Sequence, residues 1–115
     1  YAKTLPTIEA ELNRLIHPEN MAKSVYVIHM PPYRLGLDKC YHGAEVGSKA
    51  IYNFLKKHQP KLSLHGHIHE SPEVSGRWHA KLGRTTCIQA GQLNEFTYVT
   101  INLPTMKFDR IRGIY

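Results

Sequence analysis

Cysteine is scarce in this sequence: Cys40 and Cys87 are the only two, far apart and in no CxxC pattern. Both are therefore read as free thiols in a reducing, cytoplasmic setting. Long apolar runs are missing as well. None approaches the ~20 residues that a bilayer span needs, and no signal-like apolar segment opens the chain, so no membrane partner is expected. Acidic residues are few, 9 against 15 lysines and arginines, which leaves a formal charge of +6. Such a balance favours anionic partners without naming one. At 115 residues the chain has room for one domain, residues 1–115, and an apolar share of 42% marks it as folded. It opens at Tyr1 where a start methionine would stand, which reads as a piece of a longer polypeptide.

What is present is a pattern of alternating helix and strand signals. In residues 4–16, Leu5, Ile8, Leu12, Leu15 and Ile16 recur at three- and four-residue spacing, with Glu9 and Glu11 near the start. That predicts an amphipathic helix, stopped by His17-Pro18. Residues 24–30 form a short β-branched and aromatic run, predicted to be a strand covered on both faces, with His29 at its C-terminal end. Residues 31–47 hold two prolines and three glycines without periodicity, a long loop of the kind that lines sites. Ser48 is an N-cap candidate for a helix with Ala50, Ile51, Phe54 and Leu55 on one face, ended by Gln59-Pro60. A strand carrying Leu62 and Leu64 then runs into His65-Gly66-His67-Ile68-His69-Glu70, with Gly66 at the bend. Residues 74–82, 84–89, 96–103 and 106–111 read as further strands. The order predicts an α/β fold of the α+β layered kind, with antiparallel pairing towards the C-terminus.

Eight histidines are a surplus for this length, and their placement matters more than their number. In an extended segment residues two apart point the same way, so His67 and His69 are expected to present ring nitrogens to one locus, with Gly66 letting the backbone turn beside it. Imidazole is the commonest protein metal ligand, and ligands gather beyond the carboxyl ends of strands in layered folds. His29 repeats the arrangement on the other apolar strand, its exit stiffened by Pro31-Pro32. The competing reading makes these capping or hydrogen-bonded core histidines. His17 and His58 each close a helix ahead of a proline and are read as structural, His79 as surface. His42, in the long loop, is the candidate substrate-binding residue that could reach a phosphate, and His65 is open between support of a metal site and packing.

Taken in order, His29 with Pro31-Pro32, Gly47-Ser48 opening a helix, and Leu62 to Glu70 with its Gly-His-X-His resemble the C-terminal half of a calcineurin-like metallophosphoesterase. The family's motifs run Asp-X-His, Gly-Asp, Gly-Asn-His-Asp/Glu, a lone strand-end His and Gly-His-X-His, of which the last two are present. The resemblance runs to about Gly91, and Gln89-Ala90-Gly91 stands where members often have Asn-Pro-Gly. It implies a β-sandwich flanked by helices and a two-metal centre of Mn, Fe or Zn that hydrolyses phosphomonoesters or phosphodiesters. By the same resemblance His29 and His67 are ligands of one divalent metal ion and His69 of the other. The bridging aspartate and the general acid belong to motifs that are missing. Three neutral imidazoles leave two cations without the carboxylate that offsets their repulsion, so the chain by itself is expected to be inactive.

This reading competes with two others: a mononuclear zinc module built on His29, His67 and His69, and a basic nucleic-acid-binding domain. Against the last, the basic residues are scattered and no helix carries a basic stripe. The expected partners of a phosphoesterase fragment are a phosphoester substrate, the N-terminal half of the same domain and, through the apolar surface that half would cover, a second copy of the chain.

Overall fold

The computed structural model describes residues 7–113, arranged as a mixed α/β fold. Thr7 N-caps helix α1 (Ile8–Arg14), its hydroxyl accepting from the Ala10 amide at 3.1 Å. Ser48 does the same for α2 (Lys49–His58), accepting from Ile51 N–H at 3.1 Å, and Gln59 ends that helix in the left-handed region. Strands β1 (Val25–Val27), β2 (Leu62–His65), β3 (His79–Leu82) and β4 (Thr85–Gln89) form one sheet in the order β1-β2-β4-β3. β1, β2 and β4 run parallel and β3 is antiparallel to β4. The expected antiparallel pairing towards the C-terminus is found there and in a separate two-stranded ribbon, β5 (Phe96–Asn102) with β6 (Lys107–Gly113).

The core lies between α1, α2 and the four-stranded sheet, with Leu12, Ile51, Phe54, Leu55, Leu82 and Cys87 buried together. Burying each of the larger apolar side chains contributes roughly 1.5–3 kcal/mol. Arg110 fastens the ribbon to this body, its Nε donating to Ala90 O at 2.8 Å and its Nη2 meeting Glu73 at 3.1 Å. Phe108 adds ring contacts to Trp78 and His79.

Three expectations need correction. The first helix ends at Arg14, so Leu15 is 55% and Ile16 fully exposed instead of continuing the apolar face. The cause is His17, whose Nε2–H donates to Leu12 O at 2.8 Å and takes a carbonyl that another turn would have needed. Next, β1 is an edge strand with Val25 and Val27 exposed, not a strand covered on both faces. Beside it Ile8, Leu12, Leu15, Val27, Ile28 and Met30 line an open groove of about 840 Å³ that runs up to His29. Finally, residues 74–82 are not strand throughout. A short helix α3 (Ser71–Ser75) precedes β3, with Pro72 in its first turn and Gly76 as a left-handed C-cap. Of the helix expected over residues 4–16, the first three residues, Leu5 among them, lie outside the described ones.

Candidate metal centre

Because β1 and β2 are parallel neighbours, both chains leave the sheet at the same edge, with Val27 opposite Leu64. The ladder continues past the strands: Ile28 N–H donates to Leu64 O and Gly66 N–H to His29 O, each at 2.9 Å. On either side of that second bond, His65 Nδ1–H donates to Ile28 O and to Met30 O, both at 3.0 Å. Carbonyls only accept, so the proton sits on Nδ1, and Nε2 accepts from Ser63 Oγ at 2.8 Å. Burial pushes the His65 pKa down to about 4, which leaves the ring neutral at neutral pH.

Beyond Gly66 the chain turns sharply. Ile68 N–H donates back to Gly66 O at 2.7 Å around His67, whose φ is +68°. A three-residue turn with a positive φ at its centre is rare and costly for a side-chain-bearing residue. The turn is held from β4, where the buried Gln89 gives its Nε2–H to Gly66 O and accepts Gly91 N–H at 3.3 Å. Gly91, itself at φ +70°, lets the chain pass close under His69: a Cβ there would come within 2.9 Å of His69 O.

These constraints bring His29 Nε2 and His67 Nδ1 to 3.0 Å, the rings edge-on at 75°. Both residues are exposed. His29 Nδ1 and His67 Nε2 have no hydrogen-bond partner among the described residues. Two facing imidazole nitrogens fit a divalent ion of the zinc, manganese or iron kind, which takes such ligands and fills its other positions with further donors.

His69 does not join the pair as the alternate spacing leads one to expect. Among the described residues no three His, Cys, Asp or Glu side chains are grouped to hold a metal ion. The strand ends at His65 and the turn at His67 interrupts the alternation, with His65 partly buried and His67 and His69 both exposed. His42 stands exposed in the tight turn of residues 40–43, closed by Gly43 N–H on Cys40 O, with no hydrogen bond to another described residue. His58 closes α2 as expected and stacks at 5.8 Å on His17, which lies three residues past the end of α1, and His79 is exposed.

Sequence reasoning misses two supports. Asp38, fully buried, organises the long loop by accepting Gly47 N–H at 2.9 Å and Arg34 N–H at 3.2 Å on Oδ2. A carboxylate ahead of a Gly-Ser pair is no signal by itself. Gln89 stands out in the sequence only as a departure from Asn-Pro-Gly, although its amide side chain is what holds that turn.

No family model matches the chain, and no curated protein matches it. Among solved structures, one crystal structure superposes with a TM-score of 0.64 at 20% identity over 88% of this chain and 35% of its own. That of TT1561 of Thermus thermophilus superposes with a TM-score of 0.55 at 26% identity, over 78% and 34%. The chain spans about a third of the length of either. No helix among the described residues is long and apolar enough to cross a membrane.

Proposed function

We propose that this chain is the C-terminal portion of a calcineurin-like metallophosphoesterase domain, contributing His29 and His67 to one metal position and His69 to a second. The observation that carries the reading is the 3.0 Å approach of His29 Nε2 to His67 Nδ1 beyond the carboxyl ends of two adjacent parallel strands. The apolar groove ending at His29 supports it, since the strands of an N-terminal half would seat there and bring carboxylate ligands beside the pair. When bound, paired divalent ions neutralise phosphate charge and activate water for hydrolysis. The chain's own residues hold the ligand rings in place: His65 and Gly66 fix the backbone at His29, and Gln89 fixes the turn that projects His67. The net charge of +6 suits an anionic phosphoester.

Reading the encoding gene upstream of Tyr1 is the first test. An Asp-X-His, Gly-Asp and Gly-Asn-His series there supports the assignment, and a start codon directly before Tyr1 overturns it. In Mn²⁺ the 115-residue chain should hydrolyse bis-p-nitrophenyl phosphate at background rate, while the longer protein turns over and its His67→Ala variant loses most of that activity. Turnover of roughly 1 s⁻¹ or more by the short chain would favour a one-metal site instead.

A further inference from the structure

We propose that His65 is a positioning residue for the His29–His67 pair, an inference that rests on reading that pair as metal-ligating. Three consecutive carbonyls, those of Ile28, His29 and Met30, take donors from two consecutive residues of the other strand end: His65 Nδ1, Gly66 N and His65 Nδ1 again. One ring thus grips the peptide groups on both sides of His29. The chain that follows cannot replace it, because Pro31 and Pro32 carry no amide hydrogen to turn back onto those carbonyls. The gripping ring is itself held, Ser63 Oγ donating to Nε2 at 2.8 Å, so its tautomer and rotation are set from β2. An aliphatic or phenyl side chain would fill the same space yet leave Ile28 O and Met30 O without that donor. His29 would then be held by the Gly66 N–H bond to its carbonyl alone, with its neighbouring peptide groups loosened and its ring less fixed against His67 Nδ1, 3.0 Å distant. Groups that orient a ligand in this way typically contribute 10–100-fold in metal affinity.

The test uses the full chain in two states. In the metal-free protein, ring-to-ring nuclear Overhauser effects report the His29–His67 approach, and titration with Co²⁺, followed by its absorption, reports affinity. His65→Phe keeps a buried ring without nitrogens. It should erase the ring-to-ring signal and weaken Co²⁺ binding about 10–100-fold. His65→Asn, whose Nδ2 takes the place of ring Nδ1, should restore both in large part. Leu82→Val, a core change at the opposite end of the sheet from the pair, controls for lost stability and should alter neither. If His65→Phe keeps the ring-to-ring signal and the wild-type affinity, or changes them no more than Leu82→Val does, the proposal is overturned. If His65→Phe does not fold, Ser63→Ala, which releases Nε2, takes its place with the same two readouts and the same outcomes. A wild-type chain that binds no Co²⁺ removes the metal reading, and the ring-to-ring signal in the metal-free variants then decides on His65 alone.

Discussion

Two pairs of histidines sit at opposite ends of the same short strand, and they are built on opposite plans. At the entry to β1, His17 is saturated by the protein: Nε2–H donates to Leu12 O at 2.8 Å, Nδ1 accepts from Tyr26 OH at 2.5 Å, and His58 stacks on it with Phe54 beside them. At the exit, the only described partner of His29 Nε2 is His67 Nδ1, on the exposed rim of a groove. A ring whose nitrogens are both used is a fastener for helix and strand. A ring held by its backbone, with one nitrogen on another exposed ring, adds little to the fold, and the strain of the arrangement is borne by the turn at His67.

Acid should break this contrast most. His65 belongs to the saturated class, and its pKa falls from 6.5 unfolded to about 4 folded. The unfolded chain therefore binds the proton first, so the stabilisation is fully present above pH 6.5 and is lost as the pH drops towards 4, by about 3 kcal/mol. Urea unfolding in chelator at pH 7 and pH 4.5 measures it, and His65→Asn should flatten the difference. Next in size, His17→Ala should destabilise by about 2 kcal/mol, through two lost hydrogen bonds and a Leu12 carbonyl left with only the long bond from Leu15 N–H. His29→Ala should stay within about 0.5 kcal/mol of wild type, as exposed substitutions do. Equal losses at the two positions would erase the distinction. The smallest effect has the opposite sign. His67→Gly relieves the positive φ, and despite the extra chain entropy of glycine it should leave the metal-free protein as stable as wild type or stabilise it by about 0.5 kcal/mol. A clear loss would mean the ring contributes to the fold.

Much of the framework was legible from local chemistry. The Ser48 cap, the apolar face of α2 and the strand end at His65 follow from residue spacing alone, while β1 stops at Val27, short of the His29 end expected for it. What escaped depended on partners distant in sequence. The α1 terminus is decided by His17 reaching back to Leu12, and the openness of β1 by which strands lie beside it. The proline and glycine bracketing α3 were visible but outweighed by the β-like run that followed. At the site, the pairing of His29 with His67 could be expected from neighbouring strands that both lead into histidines, whereas the turn at His67 could not. Its positive φ is held by Gln89 from a distant strand, which no alternation rule anticipates.

The parallel register of β1 against β2 also carries a cost. Val25 pairs with Leu62 only after the long loop and α2 have been threaded between them, a closure far costlier in chain entropy than the tight antiparallel ribbon of β5 and β6. The ribbon pairs neighbours in sequence; β1 pairs across a long separation, and its valines stay open to other strands even in the finished sheet. A cation bridging the His29 and His67 rings would bind only the paired strands and so hold that long-range edge shut.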